Sequence, residues 1–350
     1  MERGMKPSVA AGLAAQASAD ARAPLLDVSD LQTRYPVRRG IAAAIARRPR
    51  RFVRAVDGVS FSLFPGELLA LVGESGCGKT TTALSVLKLV VAQDGTIRFK
   101  GQDITRLRHR DLRPLRRRMQ LIYQDPYESL DPRFRVRQTV EEPLIIHRIG
   151  GSRAERRRRV LDALARVELS PPELYAERYP HELSGGQRQR VAIASSLVLE
   201  PELLVADEPV SMLDVSVRAG ILSLLDGLRR SGLGTLMITH DLSTAAHFAD
   251  RIAVMYLGRI VEEGPAREVV HNPQHPYTKA LLSVVPKRDP RVRTKPQVLK
   301  GETPDPVQIP RGCRFHPRCP VAEPRCRTID PTLHRGAKSV ERHLAACVLI

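Results

Sequence analysis

The residues from Gly73 to Thr80, GESGCGKT, have the types and the spacing needed to bind nucleotide phosphates. They fit the pattern G-x-x-x-x-G-K-[ST], in which glycines let backbone N–H groups surround phosphate oxygens. Lys79 is expected to contact the β- and γ-phosphates, and the Thr80 hydroxyl to bind Mg²⁺. Cys77 occupies a variable position and is expected to be chemically passive. The predicted phosphate-binding residues are Gly73, Glu74, Ser75, Gly76, Cys77, Gly78, Lys79, Thr80 and Thr81.

Two carboxylates follow the apolar run of LLVADE, residues 203–208. At the end of a strand, Asp207 is placed to hold Mg²⁺ through water, and Glu208 to polarise an attacking water as a general base. A strand that merely ends in an acidic turn is the alternative. Because a phosphate loop precedes this pair in the chain, we favour the hydrolytic interpretation.

The segment LSGGQRQRVAIASSL, residues 183–197, predicts a helix whose first turn suits an anion. Ser184 and Gln187 match the capping-box pattern S-x-x-Q. Gly185 and Gly186 occupy the first turn, where each glycine costs about 1 kcal/mol relative to alanine. Glycines leave the N–H groups open to a close anion. We therefore predict a second phosphate site without a lysine, and a nucleotide held from two sides.

Four of the five cysteines lie close to the C-terminal end, and their spacing lacks the C-x-x-C pairs of common zinc modules. The residues between them offer little apolar surface, so a module this short needs a staple. A reducing compartment favours a metal over a disulfide. The residue types alone leave an iron–sulfur cluster, Zn²⁺ and passive thiols open. The four candidate ligands are Cys313, Cys319, Cys326 and Cys347.

The elements that must position these groups can be predicted from apolar runs. The runs LLALV before the phosphate loop and LLVAD before Glu208 are typical of buried parallel strands, and TTTALSVLKLVV predicts a helix after the loop. RVRQTVEEPLIIHR and RAERRRRVLDALARVEL predict short helices without sustained heptads. RIAVMYLGRIVEEG predicts two strands around Leu257 and Gly258. The proline-rich stretch after Pro286 predicts a linker to a small terminal module.

Composition narrows the class of protein. The 350 residues contain no apolar run of about 18, and the N-terminus lacks the compact apolar core of a signal peptide, so a disordered tail over residues 1–24 is expected. The net charge of +18 leaves three interpretations: solvated surface, which we favour, attraction to an anionic membrane face, and nucleic-acid binding. Aromatic residues make up only 4%, which argues against a base-stacking surface.

The order of VGESGCGKTT, LIYQDP, LSGGQRQR, LLVADEP, SMLD and MITHDL resembles that of ATP-binding-cassette (ABC) transport ATPases over residues 25–290. The resemblance implies an α/β P-loop NTPase fold. This fold comprises an ABC nucleotide-binding domain with a helical subdomain near residues 125–200 and an antiparallel β subdomain. Residues 291–350 would then form a small Cys-rich C-terminal extension.

The resemblance also implies roles for single residues. Gln124 would sense Mg²⁺ and the γ-phosphate, and Asp214 of SMLD would lie at a dimer interface. His240 would contact the γ-phosphate. Tyr35 would stack on adenine, with Phe52 as a competing aromatic. The residues implied to bind ATP across the dimer are Ser184, Gly185, Gly186 and Gln187. Those implied to bind Mg²⁺ are Thr80, Gln124 and Asp207. Those implied to act in catalysis are Glu208, His240, Gln124 and Lys79.

A finer resemblance is to the ATPases of oligopeptide, dipeptide or nickel importers. It rests on FVRAVDGVSF, QDPYESLDPR, RYPHELSGGQRQR and NPQHPYTKALL. It implies ATP-driven import, a second ABC ATPase subunit of the same or a different kind, two membrane permease subunits and an extracytoplasmic solute-binding protein. The chain would be peripheral to the cytoplasmic face of the membrane, with a permease docked around Gln124 and residues 127–132.

The cysteine tail of such ATPases is associated with a [4Fe–4S] cluster, which the resemblance implies here, with Zn²⁺ as the alternative. The ligands would be Cys313, Cys319, Cys326 and Cys347. Two other functions are left as alternatives: an ABC ATPase associated with nucleic acid, and an ATPase whose C-terminal module senses redox or metal status.

Overall fold

The computed structural model describes residues 23–37, 50–125, 129–285, 297, 299, 301–336 and 342–350. The predicted N-terminal tail, residues 1–24, lies outside the described residues except for its last two. The first part of the predicted linker after Pro286, up to residue 296, lies outside them as well. Within the described part, no helix is long and apolar enough to span a bilayer.

Twelve strands occur among the described residues. They are β1 (Leu26–Pro36), β2 (Phe52–Leu63), β3 (Leu68–Val72), β4 (Asp94–Phe99), β5 (Gln102–Asp103), β6 (Met119–Ile122), β7 (Leu203–Asp207), β8 (Gly234–Thr239), β9 (Arg251–Tyr256), β10 (Arg259–Pro265), β11 (His334–Arg335) and β12 (Leu344–Ala345).

Ten α-helices complete the described architecture, together with two short 3₁₀ turns at Pro180–Glu182 and Pro324–Arg327. The α-helices are α1 (Lys79–Val86), α2 (His109–Arg118), α3 (Val136–Ile146), α4 (Arg153–Arg166), α5 (Pro172–Ala176), α6 (Gly185–Leu197), α7 (Val215–Arg230), α8 (Leu242–Phe248), α9 (Ala266–His271) and α10 (Pro276–Ser283).

The larger sheet has eight strands in the order β11-β12-β10-β9-β3-β8-β7-β6. Its five central strands, from β9 to β6, are parallel. Every residue of β3 and β7 is buried, as the continuous apolar runs predict. Because parallel strands end at the same edge, the segments that follow β3, β6, β7 and β8 meet there. This edge carries the predicted site.

The smaller sheet is antiparallel, in the order β2-β1-β4-β5, which confirms the predicted antiparallel β subdomain. A second layer contains helices α3 to α6. They pack together through fully buried apolar side chains spaced three or four residues apart, as amphipathic helices require. These side chains include Val140, Leu144, Val160, Leu164 and Ile193.

The predicted pair of strands around Leu257 and Gly258 is confirmed as the β9–β10 hairpin. Both turn residues have positive φ values, of 43° and 79°. The Gly258 N–H donates to the Cys77 carbonyl at 2.8 Å, so this turn lies directly behind the phosphate loop.

The described part of the C-terminal segment packs closely against the cassette. Strand β12 pairs with β10, with Ala345 opposite Glu262, and so extends the main sheet. Phe315 is 1% exposed and packs against Tyr256 and Tyr277, with ring centroids 5.3 and 5.4 Å away. Because this single aromatic enters the core of the cassette, the segment needs no core of its own.

Candidate ATP-binding site

The phosphate loop connects β3 to α1 and is closely backed by neighbouring main chain. A Cβ atom at Gly78, whose φ is 110°, would lie 2.0 Å from the Ala55 carbonyl oxygen. A Cβ atom at Gly73 would lie 2.3 Å from the Met255 carbonyl oxygen. Both positions therefore require glycine. Lys79 is 5% exposed, and its Nζ donates to the carbonyl oxygens of Gly73 at 2.7 Å and Glu74 at 3.0 Å.

A hydroxyl and a carboxylate lie together at the start of α1. Thr80 Oγ1 donates to Asp207 Oδ1 at 3.3 Å. Burial raises the pKa of Asp207, and the hydrogen bond from Thr80 partly offsets this. Both groups offer oxygen ligands, which Mg²⁺ prefers, so the residues fit that ion. Behind them, burial raises the pKa of Cys77 and keeps its thiol protonated.

Two predicted catalytic groups, Gln124 and His240, converge on the carboxylate of a third, Glu208. Glu208 follows β7 with a φ of 46°, an unfavourable value for a non-glycine residue and one that is enriched at functional sites. Its Oε2 accepts a hydrogen bond from Gln124 Nε2 at 3.1 Å and lies 3.2 Å from His240 Nδ1. The side chains come from segments after β6, β7 and β8, so the parallel sheet itself brings them together.

These groups line one open cavity of about 550 Å³ at the edge of the sheet. Nine predicted residues line it: Ser75, Gly76, Gly78, Lys79, Thr80, Thr81, Gln124, Glu208 and His240. Sequence reasoning missed Val53, Ala55, Ser211 and Met212, which line it too. The alternation of Val53 and Ala55 in FVRAV was an available signal, because residues two apart share one face of a strand.

Other predicted residues do not line this cavity. Tyr35 and Phe52, the two aromatic candidates for adenine, are 38% and 41% exposed on the paired strands β1 and β2. The signature residues 184–187 and Asp214 are also absent from the lining of the cavity. A single chain therefore does not bring its two predicted phosphate sites into one cavity.

The predicted capping box at the start of α6 is present. Ser184 Oγ accepts from the Gln187 N–H at 3.3 Å, and Gln187 Oε1 accepts from the Ser184 N–H at 3.0 Å. A Cβ atom at Gly186 would lie 2.3 Å from Val217 Cγ1 of α7. The absence of a side chain at Gly186 therefore allows α6 and α7 to pack closely and also leaves the first turn of α6 open.

Glu74 of the phosphate loop contacts the C-terminal segment. Its carboxylate accepts two hydrogen bonds from Arg318, at 2.7 and 3.1 Å, and one from Thr303 Oγ1 at 3.0 Å. Its N–H donates to Tyr277 Oη at 3.0 Å. Burial alone would raise the pKa of Glu74, but the hydrogen bonds from Arg318 and Thr303 outweigh burial and lower it.

The predicted metal centre at the C-terminal cysteines is not confirmed. Burial raises the pKa of Cys313 to about 11, and the thiols of Cys347, Cys326 and Cys319 are near enough to add to this. In the described ranges, however, no three His, Cys, Asp or Glu side chains are placed to hold a metal ion. Zinc ligands must converge within about 2.3 Å of one point, so the residues do not fit the Zn²⁺ alternative.

Comparison with known proteins agrees with the geometry. Residues 56–211 match the family model "ABC transporter", and residues 261–326 match "Oligopeptide/dipeptide transporter, C-terminal region". The chain is 46% identical to the oligopeptide transport ATP-binding protein AppF of Bacillus subtilis, covering 93% of this chain and 97% of that one. It is 43% identical to OppF of Salmonella typhimurium, with 94% and 97% covered.

Solved structures of ABC cassettes have the same fold. A dimer of the ATP-binding cassette MJ0796 bound to ADP and Pi matches with a TM-score of 0.60 at 29% identity, covering 69% of this chain and 99% of that one. The structure of cbiO1 from Clostridium perfringens matches with a TM-score of 0.60 at 28% identity, covering 71% and 91%. The chain has the ABC ATPase cassette fold and belongs to the family of oligopeptide transport ATP-binding proteins of ABC importers.

Proposed function

We propose that the chain binds MgATP in the cavity after β3 and hydrolyses it to energise import of oligopeptides. The observation that carries this proposal is the meeting of Gln124 and His240 on one oxygen of Glu208, in the cavity that also contains Lys79. A general base must be within reach of a water beside the γ-phosphate, and a cavity lined by all four groups allows this.

The residues divide the chemistry between them. Backbone N–H groups of the loop and the Lys79 ammonium hold the phosphates, and Thr80 and Asp207 hold Mg²⁺, which neutralises charge on the β- and γ-phosphates when bound. Glu208 Oε2 accepts the proton of the attacking water. Gln124 and His240 orient this carboxylate, because both contact the same oxygen.

A second ABC ATPase subunit completes the site in this proposal. The first turn of α6, with Ser184 and its two glycines, is a phosphate site that lies outside the chain's own cavity. Met212 and Val215, on either side of Asp214, are 58% and 80% exposed, an apolar surface suited to burial against a partner. ATP held between the two chains then favours the closed dimer.

The remaining partners follow from the peptide-importer family. We assign two membrane permeases, an extracytoplasmic solute-binding protein and a position on the cytoplasmic face of the membrane. The predicted docking surface is only partly described, because residues 126–128 lie outside the described residues. Tyr123, directly before Gln124, is 55% exposed and available to a permease. The division into residues 25–290, with a helical part near 125–200, and residues 291–350 stays a prediction.

Copurification tests this assignment. Affinity purification of the tagged chain from detergent-solubilised membranes is expected to retain two permeases and an ABC ATPase. Tyr123→Asp should lose the permeases, because it places a charge on an apolar contact. Val321→Asp, at a 54% exposed position of the C-terminal segment, is the matched control and should keep them. Permeases retained equally by both variants would contradict the docking surface.

We also propose that Cys313, Cys319, Cys326 and Cys347 hold a [4Fe–4S] cluster. Its support is the resemblance of this segment to the cysteine tail of peptide-importer ATPases, together with the hydrogen bond from the Cys313 N–H to the Cys326 carbonyl at 2.9 Å, which places two of the four residues side by side. A cluster uses one thiolate per iron atom, so its ligands stand further apart than those of a single ion. Protein purified without oxygen should contain iron and sulfide; colourless protein without iron would remove the cluster from the proposal.

A further inference from the structure

The short loop from Cys313 to Cys319, CRFHPRC, is attached to the cassette by three of its side chains. Arg314 is 7% exposed, donates to the Leu257 carbonyl and forms an ion pair with Asp57. Phe315 enters the aromatic cluster of the core. Arg318 is 9% exposed and reaches Glu74 of the phosphate loop, 244 residues away in sequence. The Cys313–Cys319 loop therefore contacts the phosphate loop through Glu74.

The contact with Glu74 is specific in its geometry. Two guanidinium nitrogens of Arg318 meet the two carboxylate oxygens, at 2.7 and 3.1 Å, which is the paired arrangement that arginine forms best with carboxylates. The Arg318 guanidinium carbon also lies 5.9 Å from the centre of the Tyr256 ring. Thr303 supplies a third donor to the same carboxylate. Glu74 is consequently fixed by side chains from outside the loop.

Glu74 in turn holds the lysine that faces the phosphates. Its carbonyl oxygen accepts from Lys79 Nζ at 3.0 Å, while its N–H is held by Tyr277. The Glu74 side chain does not line the cavity. Glu74 therefore contacts the C-terminal segment through its carboxylate and Lys79 through its carbonyl oxygen. Because both groups belong to one residue, movement of the carboxylate also displaces the carbonyl that binds Lys79.

From these contacts we infer that Arg318 is a positioning residue of the ATP site: through Glu74 it holds the first part of the phosphate loop, and with it Lys79, in the conformation that binds ATP. This inference rests on the proposed ATP-binding function. It gives the cassette and its C-terminal segment a shared task, and it assigns Arg318 no contact with the nucleotide.

Removal of Arg318 should weaken ATP binding without slowing the bound enzyme. When only a fraction of the molecules has the phosphate loop in its ATP-binding conformation, the apparent Kd equals the intrinsic Kd divided by that fraction. For Arg318→Ala we expect the Kd and KM for MgATP to rise about tenfold, since a paired charged contact is lost. At saturating ATP the bound nucleotide restores the loop, so kcat should stay within about twofold.

The experiment measures the Kd of a fluorescent ATP analogue, the KM and kcat for MgATP, and the melting temperature of the full chain. Arg318→Lys keeps the charge but not the paired geometry and should be intermediate, at about threefold. Arg325→Ala is the matched control, because Arg325 lies in the same segment, is exposed and pairs with the exposed Glu323. It should leave all three quantities unchanged.

A double-mutant cycle makes the route through Glu74 testable. Glu74→Ala and Arg318→Ala should each raise the Kd, and the double variant should be no weaker than the poorer single variant. Unchanged Kd in Arg318→Ala, a fall in melting temperature alone, or additive effects in the double variant would each overturn the inference. Wild-type protein that binds no ATP would instead overturn the proposed function, so the two failures are distinguishable.

Discussion

Replacement of Glu208 by glutamine is expected to stop ATP hydrolysis while leaving ATP bound. The amide keeps the shape of the side chain and still meets Gln124 and His240, but it does not accept the proton of the attacking water. General-base catalysis contributes about 10²- to 10⁴-fold to such reactions, so kcat should fall by that factor. Because the γ-phosphate persists, the closed dimer should accumulate.

The measurements are phosphate release and size-exclusion chromatography with light scattering in the presence of MgATP. Glu200→Gln is a matched control, since Glu200 lies 66% exposed near the opposite end of β7 and outside the cavity. It should hydrolyse ATP at the wild-type rate and should not accumulate as a dimer. Full activity in Glu208→Gln would show that another group removes the proton.

Replacement of Lys79 by alanine is expected to abolish binding of ATP at ordinary concentrations. The ammonium is 5% exposed at the start of α1 and provides the only lysine charge among the residues that line the described cavity. Hydrogen bonds to charged groups are worth about 1.5 to 3 kcal/mol each, and contact with two phosphates gives a loss of affinity of about 100-fold or more.

Calorimetric titration with MgATP checks this loss. Lys100→Ala is the control, because Lys100 is an exposed lysine that pairs with Glu202 at 2.7 Å, away from the cavity. The melting temperature must be measured as well, since Lys79 also donates to two carbonyl oxygens of the loop. Unaltered affinity in a folded Lys79→Ala protein would show that the nucleotide binds elsewhere.

The functional groups that could be predicted are those whose role depends on a few residues that are neighbours in the sequence. The glycines and lysine of GESGCGKT, the carboxylates after LLVAD and the capping box of LSGGQ each define a local backbone and a local charge. The parallel sheet then brings Gln124, Glu208 and His240 together, because strand ends meet at one edge. The family resemblance implied that these three residues lie together, and the distances from Gln124 and His240 to Glu208 agree with this.

The contacts that could not be predicted are long-range and use unremarkable residue types. Glu74 occupies a position of the loop that the phosphate-binding pattern leaves open, and nothing near it in sequence indicates a partner 244 residues later. Phe315 was the overlooked signal: a lone aromatic between arginines is buried in the cassette. The apolar residues within the segment do not reveal this contact, because Phe315 packs against residues of the cassette and not against its own neighbours.

The net positive charge of the chain had three interpretations. Ion pairs with carboxylates account for some of its arginines. Arg314, Arg318 and Arg251 are each less than a quarter exposed and paired with carboxylates. Such arginines stabilise the fold and are not available to a nucleic acid or to lipid. The family assignment makes peptide transport the function to test directly.

The most direct measurement is ATP hydrolysis by the copurified complex in lipid vesicles, with and without the solute-binding protein and a mixture of oligopeptides. We predict that hydrolysis rises when both are present, that peptide enters the vesicle lumen, and that Glu208→Gln removes both effects. A rate of hydrolysis that is independent of peptide and binding protein, but that DNA increases, most strongly at low salt, would contradict the assignment as a peptide-transport ATPase.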